Sequence, residues 1–328
     1  MHSESASSHL RYPFIDDAQC GEVEMSLLDQ VRNLSRLRRR EMRAAYVLIL
    51  PAVIVYLVFV LIPAIQSLHI SLFHWSGLSA EMEWAGLSNY ISMFTEDAVF
   101  RRSMSNSIIA TSVLAIVPTA LGLGFAAIVG TLRGGGAYRS AVFFPYLISM
   151  VAVGLIWAWI YNPRVGVFDV ILEAVGLGNL VHNWLGERGT ALAFSLIPVI
   201  WRFTGFSIVI FYAAIQGIPV DLYEAAKVDG ASAWQSFWRI TLPLVRQAMI
   251  IVVVWMTVDA LKLFDLIWVL TKGGPNHATE VLATWMYTKT FRHFKMGYGS
   301  AMGVVLFLMI FVFSIIYIRF STREDREE

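Results

Sequence analysis

Four ionisable side chains stand in stretches that are otherwise apolar: Arg202, in Trp201-Arg202-Phe203-Thr204-Gly205-Phe206, and further on Asp259, Lys262 and Asp265. A charge at the centre of a bilayer costs about 2.5–3.5 kcal/mol on insertion scales, so such groups face protein or water rather than lipid. Arg202 offers a fork of donors, Asp259 accepts from hydroxyls, and the indole of Trp201 brings a flat apolar face with one N–H. Together they suit a polyhydroxylated ring. Asp259, Lys262 and Asp265 follow at i, i+3 and i+6, one stripe of an unbroken helix, where Lys262 can pair with either aspartate. Two uses stay open: structural ion pairs, including Arg202 with Asp259, or a wall that hydrogen-bonds solute. The indoles of Trp157, Trp159, Trp255 and Trp268 are equally suited to stacking on sugars and to ordinary packing.

Other chemistries find no support. No lysine follows a glycine, so a G-x-x-x-x-G-K-[ST] phosphate loop is absent and the chain cannot bind ATP in that way. The 7 histidines include no H-E-x-x-H or other metal spacing. Gly205-Phe206-Ser207 lacks the context of a nucleophile elbow. The single cysteine, Cys20, rules out an intramolecular disulfide and points to no metal cluster. The expectation is a protein that is no enzyme, holds no cofactor or metal of its own, and, at a net charge of +1, does not bind nucleic acid.

The elements that position these residues are membrane helices. At 57% hydrophobic and 15% charged, the composition is that of a membrane protein. Six apolar runs reach the ~20 residues a span needs: Tyr46–Leu72, Ser107–Gly130, Ala141–Tyr161, Ala191–Gln216, Leu244–Leu270 and Ala301–Phe320. Lysine and arginine are in excess on the side that holds both termini and the loops after the second and fourth spans, most clearly at Arg36, Arg38, Arg39, Arg40 and Arg43, so that side is cytoplasmic. The polar first 40 residues contain no short apolar region with a cleavage site, and no cleaved signal peptide is expected. This divides the chain into a basic, partly disordered cytoplasmic tail over 1–43 and a membrane domain over 44–328.

One polar interruption, 217–243, lies between the fourth and fifth spans, and nothing in lipid packing calls for it. Its sequence reads as two short helices and a turn: Asp221 caps the first, with Glu224 completing a capping box, and Gly230 ends it. Ser232 with Gln235 caps the second, and Pro243 opens the next span. An ordered helical pair on a membrane surface is a docking element.

The run Glu224-Ala225-Ala226-Lys227-Val228-Asp229-Gly230, with Ile240-Thr241-Leu242-Pro243 after it, resembles the cytoplasmic E-A-A loop of the permease subunits of binding-protein-dependent ABC importers. Gly86-Leu87-Ser88-Asn89-Tyr90, and Phe264-Asp265 through Gly273-Gly274-Pro275 to Gly299-Ser300-Ala301, are similar to the carbohydrate group, which includes maltose and glycerol-3-phosphate permeases. The resemblance implies an all-α fold of six transmembrane helices, a five-helix core plus an N-terminal span, in a bacterial or archaeal inner membrane. It implies as partners a second, different permease, two ABC ATPases that bind Mg-ATP, an external solute-binding protein, membrane lipid and a sugar. Glu224, Ala225, Ala226, Asp229 and Gly230 are then the coupling residues, Glu224 pairing with a basic group of the ATPase. Solute contacts fall near Trp201, Arg202, Phe203 and Phe206, and near Met256, Asp259, Ala260 and Leu263. The competing reading is an ion-coupled secondary transporter using Arg202, Asp259 and Lys262; no repeat or interrupted helix pair is visible in the sequence to support it. A membrane-embedded enzyme ranks third.

Overall fold

The computed structural model describes Met42, residues 45–129 and residues 142–324. The basic tail (Met42 apart) and the turn Arg133-Gly134-Gly135-Gly136 lie outside them. Four described helices are long and apolar enough to cross a membrane: Ala45–Ile70, Ala98–Ile128, Ala191–Gln216 and Met296–Tyr317. Ala233–Leu244 and Arg246–Leu261, bent by 67° at Val245, pass the same test as a pair. The fourth span begins and ends where the sequence puts it. The second and sixth begin earlier than expected, at Ala98 and Met296, because hydropathy does not register a polar first turn. Asp97 caps the second: its Oδ1 accepts from the N–H groups of Val99 (3.0 Å) and Phe100 (2.9 Å). Residues 73–104 are accordingly not one loop. They hold a two-stranded hairpin, Phe73–His74 with Glu83–Trp84, and a helix at Ser88–Thr95.

The described residues up to Ile65 form one unit and those from Gln66 onward a second. In the second, the core joins Leu114 of the second span, Phe203 and Phe211 of the fourth, Met256 of the fifth, and Val153, Leu266 and Ile267. Lipid is as apolar as leucine, so close packing rather than water exclusion holds such helices together, and small residues let backbones approach. Gly122 is one such residue: a Cβ there would collide with Ser207 on the fourth span.

Two expected spans are interrupted. In place of one helix over Ala141–Tyr161 there are two, 142–147 and Met150–Ile160, separated at Ile148-Ser149. Ser149 restarts the helix, its Oγ accepting from the N–H of Ala152 at 3.3 Å. In place of a fifth span over Leu244–Leu270, the helix stops at Leu261 and resumes at Asp265–Leu270. The two apolar half-helices, Met150–Ile160 and Asp265–Leu270, pack together at Gly154, where an added Cβ would lie 2.9 Å from Cγ1 of Val269. Continuous hydropathy cannot reveal these breaks, since half-helices are as apolar as whole ones.

The Gly-Leu-Ser-Asn-Tyr and Gly-Gly-Pro motifs have structural work. Asn89 of Gly-Leu-Ser-Asn-Tyr donates from Nδ2 to the carbonyls of Ser71 (2.9 Å) and Phe73 (3.0 Å), and the Tyr90 hydroxyl meets the Ser71 hydroxyl at 2.7 Å. In Gly-Gly-Pro, Gly273 has φ +84°, and the space a Cβ would need is filled by the buried carboxylate of Glu280. That carboxylate accepts from the Thr284 hydroxyl at 2.5 Å.

Candidate functional site

The polar segment 217–243 takes the expected helix–turn–helix form with two changes. Its first helix is Val220–Val228, capped by Pro219, with Asp221 inside the first turn. Asp221 therefore makes no capping box with Glu224; proline, with its preset φ and no N–H to lose, opens the helix, and Asp221 complements the positive end of the helix dipole. The far end is closed by two backbone bonds, Ala231 N–H to Ala226 O (2.9 Å) and Gly230 N–H to Lys227 O (3.1 Å), around Gly230 at φ +78°. This is the paired-bond C-terminal motif that glycine favours. The second helix, Ala233–Leu244, starts at the expected capping box: Ser232 N–H to Gln235 Oε1 (2.8 Å) and Gln235 N–H to Ser232 Oγ (3.3 Å). Pro243 does not open the fifth span. It lies in the last turn of this helix, past a wider π turn at Phe237–Thr241, and the span begins at Arg246 beyond the 67° bend.

The helix at 220–228 is fixed from one side only. Tyr223 and Ala226, three apart, face inward, and the Tyr223 hydroxyl meets that of Thr241 at 2.9 Å, joining both halves of the E-A-A sequence. Glu224, Ala225, Lys227, Val228, Asp229 and Gly230 are exposed. Val228 is 88% exposed and Trp234 68%, an apolar rim beside the acidic Glu224 and Asp229. The two alanines differ: Ala226 lies against the chain and Ala225 faces out.

Along the membrane path, the expected contacts separate into two groups. Phe203, Met256, Ala260 and Leu263 are buried in the core. Arg202, Phe206 and Asp259 are half-buried. Arg202 donates from Nε to the carbonyl of Ile148 at 3.1 Å, satisfying the backbone where the third span breaks. Its guanidinium lies 4.7 Å from the centroid of the Tyr146 ring. Tyr146 stacks on Phe206 (4.9 Å), and Phe206 on Trp255 (6.1 Å). Trp255, 52% exposed, shares a groove with Asp259 and Lys262. The result is a ladder, Arg202–Tyr146–Phe206–Trp255, with a carboxylate beyond its last ring.

None of the three ion pairs left open by the sequence is present. Among the described residues no ion pair joins Arg202 to Asp259, or Lys262 to Asp259 or Asp265. The helix ends between them, so the i, i+3, i+6 stripe does not exist. Trp201 also faces away from its neighbour Arg202: it lines an apolar groove with Leu121, Phe125 and Ile197 and meets Trp157 edge-on at 6.0 Å. Adjacent helical residues point about 100° apart, which a reading by sequence proximity ignores. Tyr146, central to the ladder, was missed; the Pro145-Tyr146 step before a break was its only signal.

Such a chain, helical, with several apolar spans, two of them broken, and an exposed helical pair between the fourth and fifth, has the form of a multi-pass membrane protein. It belongs to the family of binding-protein-dependent transport system inner membrane components, which matches residues 120–326. It is 35% identical over 289 residues to the trehalose/maltose transport system permease protein of Thermococcus litoralis, covering 87% of this chain and 96% of that one. It is 32% identical over 272 residues to the diacetylchitobiose uptake system permease protein of Streptomyces coelicolor, covering 79% and 77%. In fold it matches a chain of a bacterial alginate ABC transporter solved with an alginate pentasaccharide-bound periplasmic protein, at a TM-score of 0.75, 22% identity and coverage of 87% and 96%. The chain is thus a permease subunit of an ABC importer. Its interrupted helices, which the sequence did not reveal, are a property of this permease and do not favour the ion-coupled alternative.

Proposed function

We propose that this chain carries a neutral sugar or short saccharide across the cytoplasmic membrane, along the face formed by Arg202, Tyr146, Phe206, Trp255 and Asp259. The observation that carries the reading is the aromatic ladder ending in one donor and one acceptor. Sugar rings pair apolar C–H faces with hydroxyls that both donate and accept, so flat rings flanked by a guanidinium and a carboxylate match them. An anionic sugar would gain at Arg202 but be repelled at Asp259. The named cargo of the relatives, trehalose/maltose and diacetylchitobiose, supports the same class.

In this reading, residues 1–43 are a cytoplasmic tail and 44–328 the permease domain, with both termini inside. A second, different permease completes the path, two ATPases hydrolyse ATP, and an external binding protein delivers solute. The loop over 217–243 couples them: Glu224, Ala225, Ala226, Asp229 and Gly230 form the helix that enters the ATPase, and Glu224 meets a basic group there. Trp201, Phe203, Met256, Ala260 and Leu263 shape the path from behind. The test is ATPase activity of the assembled complex with its binding protein and a panel of sugars. Stimulation by one neutral sugar is expected. Stimulation only by amino acids, ions or anionic solutes would overturn the assignment.

A further inference from the structure

A second cavity, of about 880 Å³, opens on the face opposite the coupling loop, where the second and sixth spans begin. Its floor is already satisfied. Oδ2 of Asp97 accepts from Trp285 Nε1 (3.1 Å), the Tyr298 hydroxyl (2.9 Å) and Lys289 Nζ (3.0 Å). The same ammonium lies 4.7 Å from the Trp285 ring and 5.1 Å from Tyr298, covering one face of each. The charges of the floor are therefore paired with each other.

The walls are different. The rings of Trp75 and Phe294 line the cavity and have no aromatic or cationic partner among the described residues. Both are nevertheless held in place. Trp75 donates from Nε1 to the Ser79 carbonyl (2.8 Å), and its own carbonyl accepts from the Gly297 N–H at 3.0 Å. Phe294, 52% exposed, sits at φ +51°, a backbone region costly for a bulky side chain. Backbone bonds on either side, His293 N–H to Thr288 O and Lys295 N–H to Lys289 O, both 3.0 Å, fix it there. The same lining holds one carboxylate, Glu96, and one ammonium, Lys295, both exposed and without an ion pair among the described residues. Ser76, Ser92, Asn89 and His74 add further polar groups.

We propose that this cavity is a saccharide subsite, holding one or two neutral sugar rings between Trp75 and Phe294 before they enter the membrane path. Fixed apolar faces, a matched acceptor and donor, and a volume within the ~300–1,000 Å³ of small-molecule sites suit that ligand. The proposal rests on reading the chain as a sugar permease.

The test is saturation-transfer NMR on the intact, detergent-solubilised complex without binding protein, using neutral mono- to trisaccharides that include maltose, trehalose and diacetylchitobiose. Transfer to ring C–H protons of at least one sugar is expected. The share of it that remains in Trp255→Ala, which removes the end of the membrane ladder, reports this cavity. On that Trp255→Ala background it should weaken about tenfold, the size of one lost stacking or charge-assisted contact, when Trp75→Ala or Phe294→Ala is added. Glu96→Gln changes only an exposed side chain and decides the matter if Trp75→Ala does not assemble. Transfer that survives the Trp75, Phe294 and Glu96 variants but vanishes in Trp255→Ala would overturn the subsite while leaving the sugar reading intact. Absence of transfer in the unmodified complex would overturn it too. Variants that lose capture of the binding protein while transfer is unchanged would make the cavity a docking socket instead.

Discussion

A Cβ at Gly230 would meet nothing within 4 Å, so space does not select glycine there; φ of +78° does. The left-handed region costs a residue with a Cβ roughly 1–2 kcal/mol, and more when it is β-branched. Gly230→Val should therefore reach the membrane in normal amounts and lose most uptake, whereas Gly230→Asn should keep much of it, because asparagine tolerates that region. Immunoblot and labelled-solute uptake measure both, and normal uptake by Gly230→Val would remove the turn from coupling. Arg202 has two tasks, its bond to the Ile148 carbonyl and the cation over Tyr146. Arg202→Met strands that carbonyl and should destabilise the chain by about 1–3 kcal/mol. The added Asp259→Leu should not rescue it, because the two residues are not paired. Rescue of expression by the double variant, read by fluorescence-detected size exclusion, would contradict this arrangement.

At the scale of elements, legibility followed locality. The fourth span and the Ser232–Gln235 cap depend on residues within a few positions of each other, and the sequence displays both. Asn89 and Asp97 were different: Asn89 bonds to carbonyls 16 and 18 residues away, and Asp97 accepts from Trp285 and Tyr298 across 188 and 201 residues. The breaks at Ile148-Ser149 and Lys262–Phe264 were hidden because the half-helices beyond them are as apolar as an unbroken span. Gly154 sits at that contact, so Gly154→Leu should separate the half-helices, cut complex yield severely and leave the loop intact; unchanged yield would refute the packing. Asp97 binds the start of the second span to the sixth. Burial raises its pKa, but the Phe100 N–H, Lys289, Tyr298 and Trp285 outweigh it, and the net shift is below the usual 3.8. The carboxylate therefore stabilises the fold above its unfolded value, and that contribution fades as pH falls through the lower folded one. Thermal stability should lose this term only below about pH 4. Asp97→Asn should be less stable at pH 7 and show a smaller acid-induced loss, and an identical acid profile in the two proteins would contradict the network.

For the whole molecule, the proposed function needs two separate surfaces, an exposed helix that docks an ATPase and a ladder within the spans that meets solute. Neither carries an energy source. The family was legible because the coupling surface is one short continuous segment, while the solute face is assembled from three separated helices, and its chemistry emerged only when Tyr146, Phe206 and Trp255 were brought together. The most direct measurement is uptake of the stimulating sugar into proteoliposomes containing the full complex, with binding protein supplied outside, ATP enclosed and the proton gradient collapsed. Uptake should proceed, should stop when ATP is omitted, and should stop in Gly230→Val. Uptake driven by an imposed proton gradient without ATP would contradict the account.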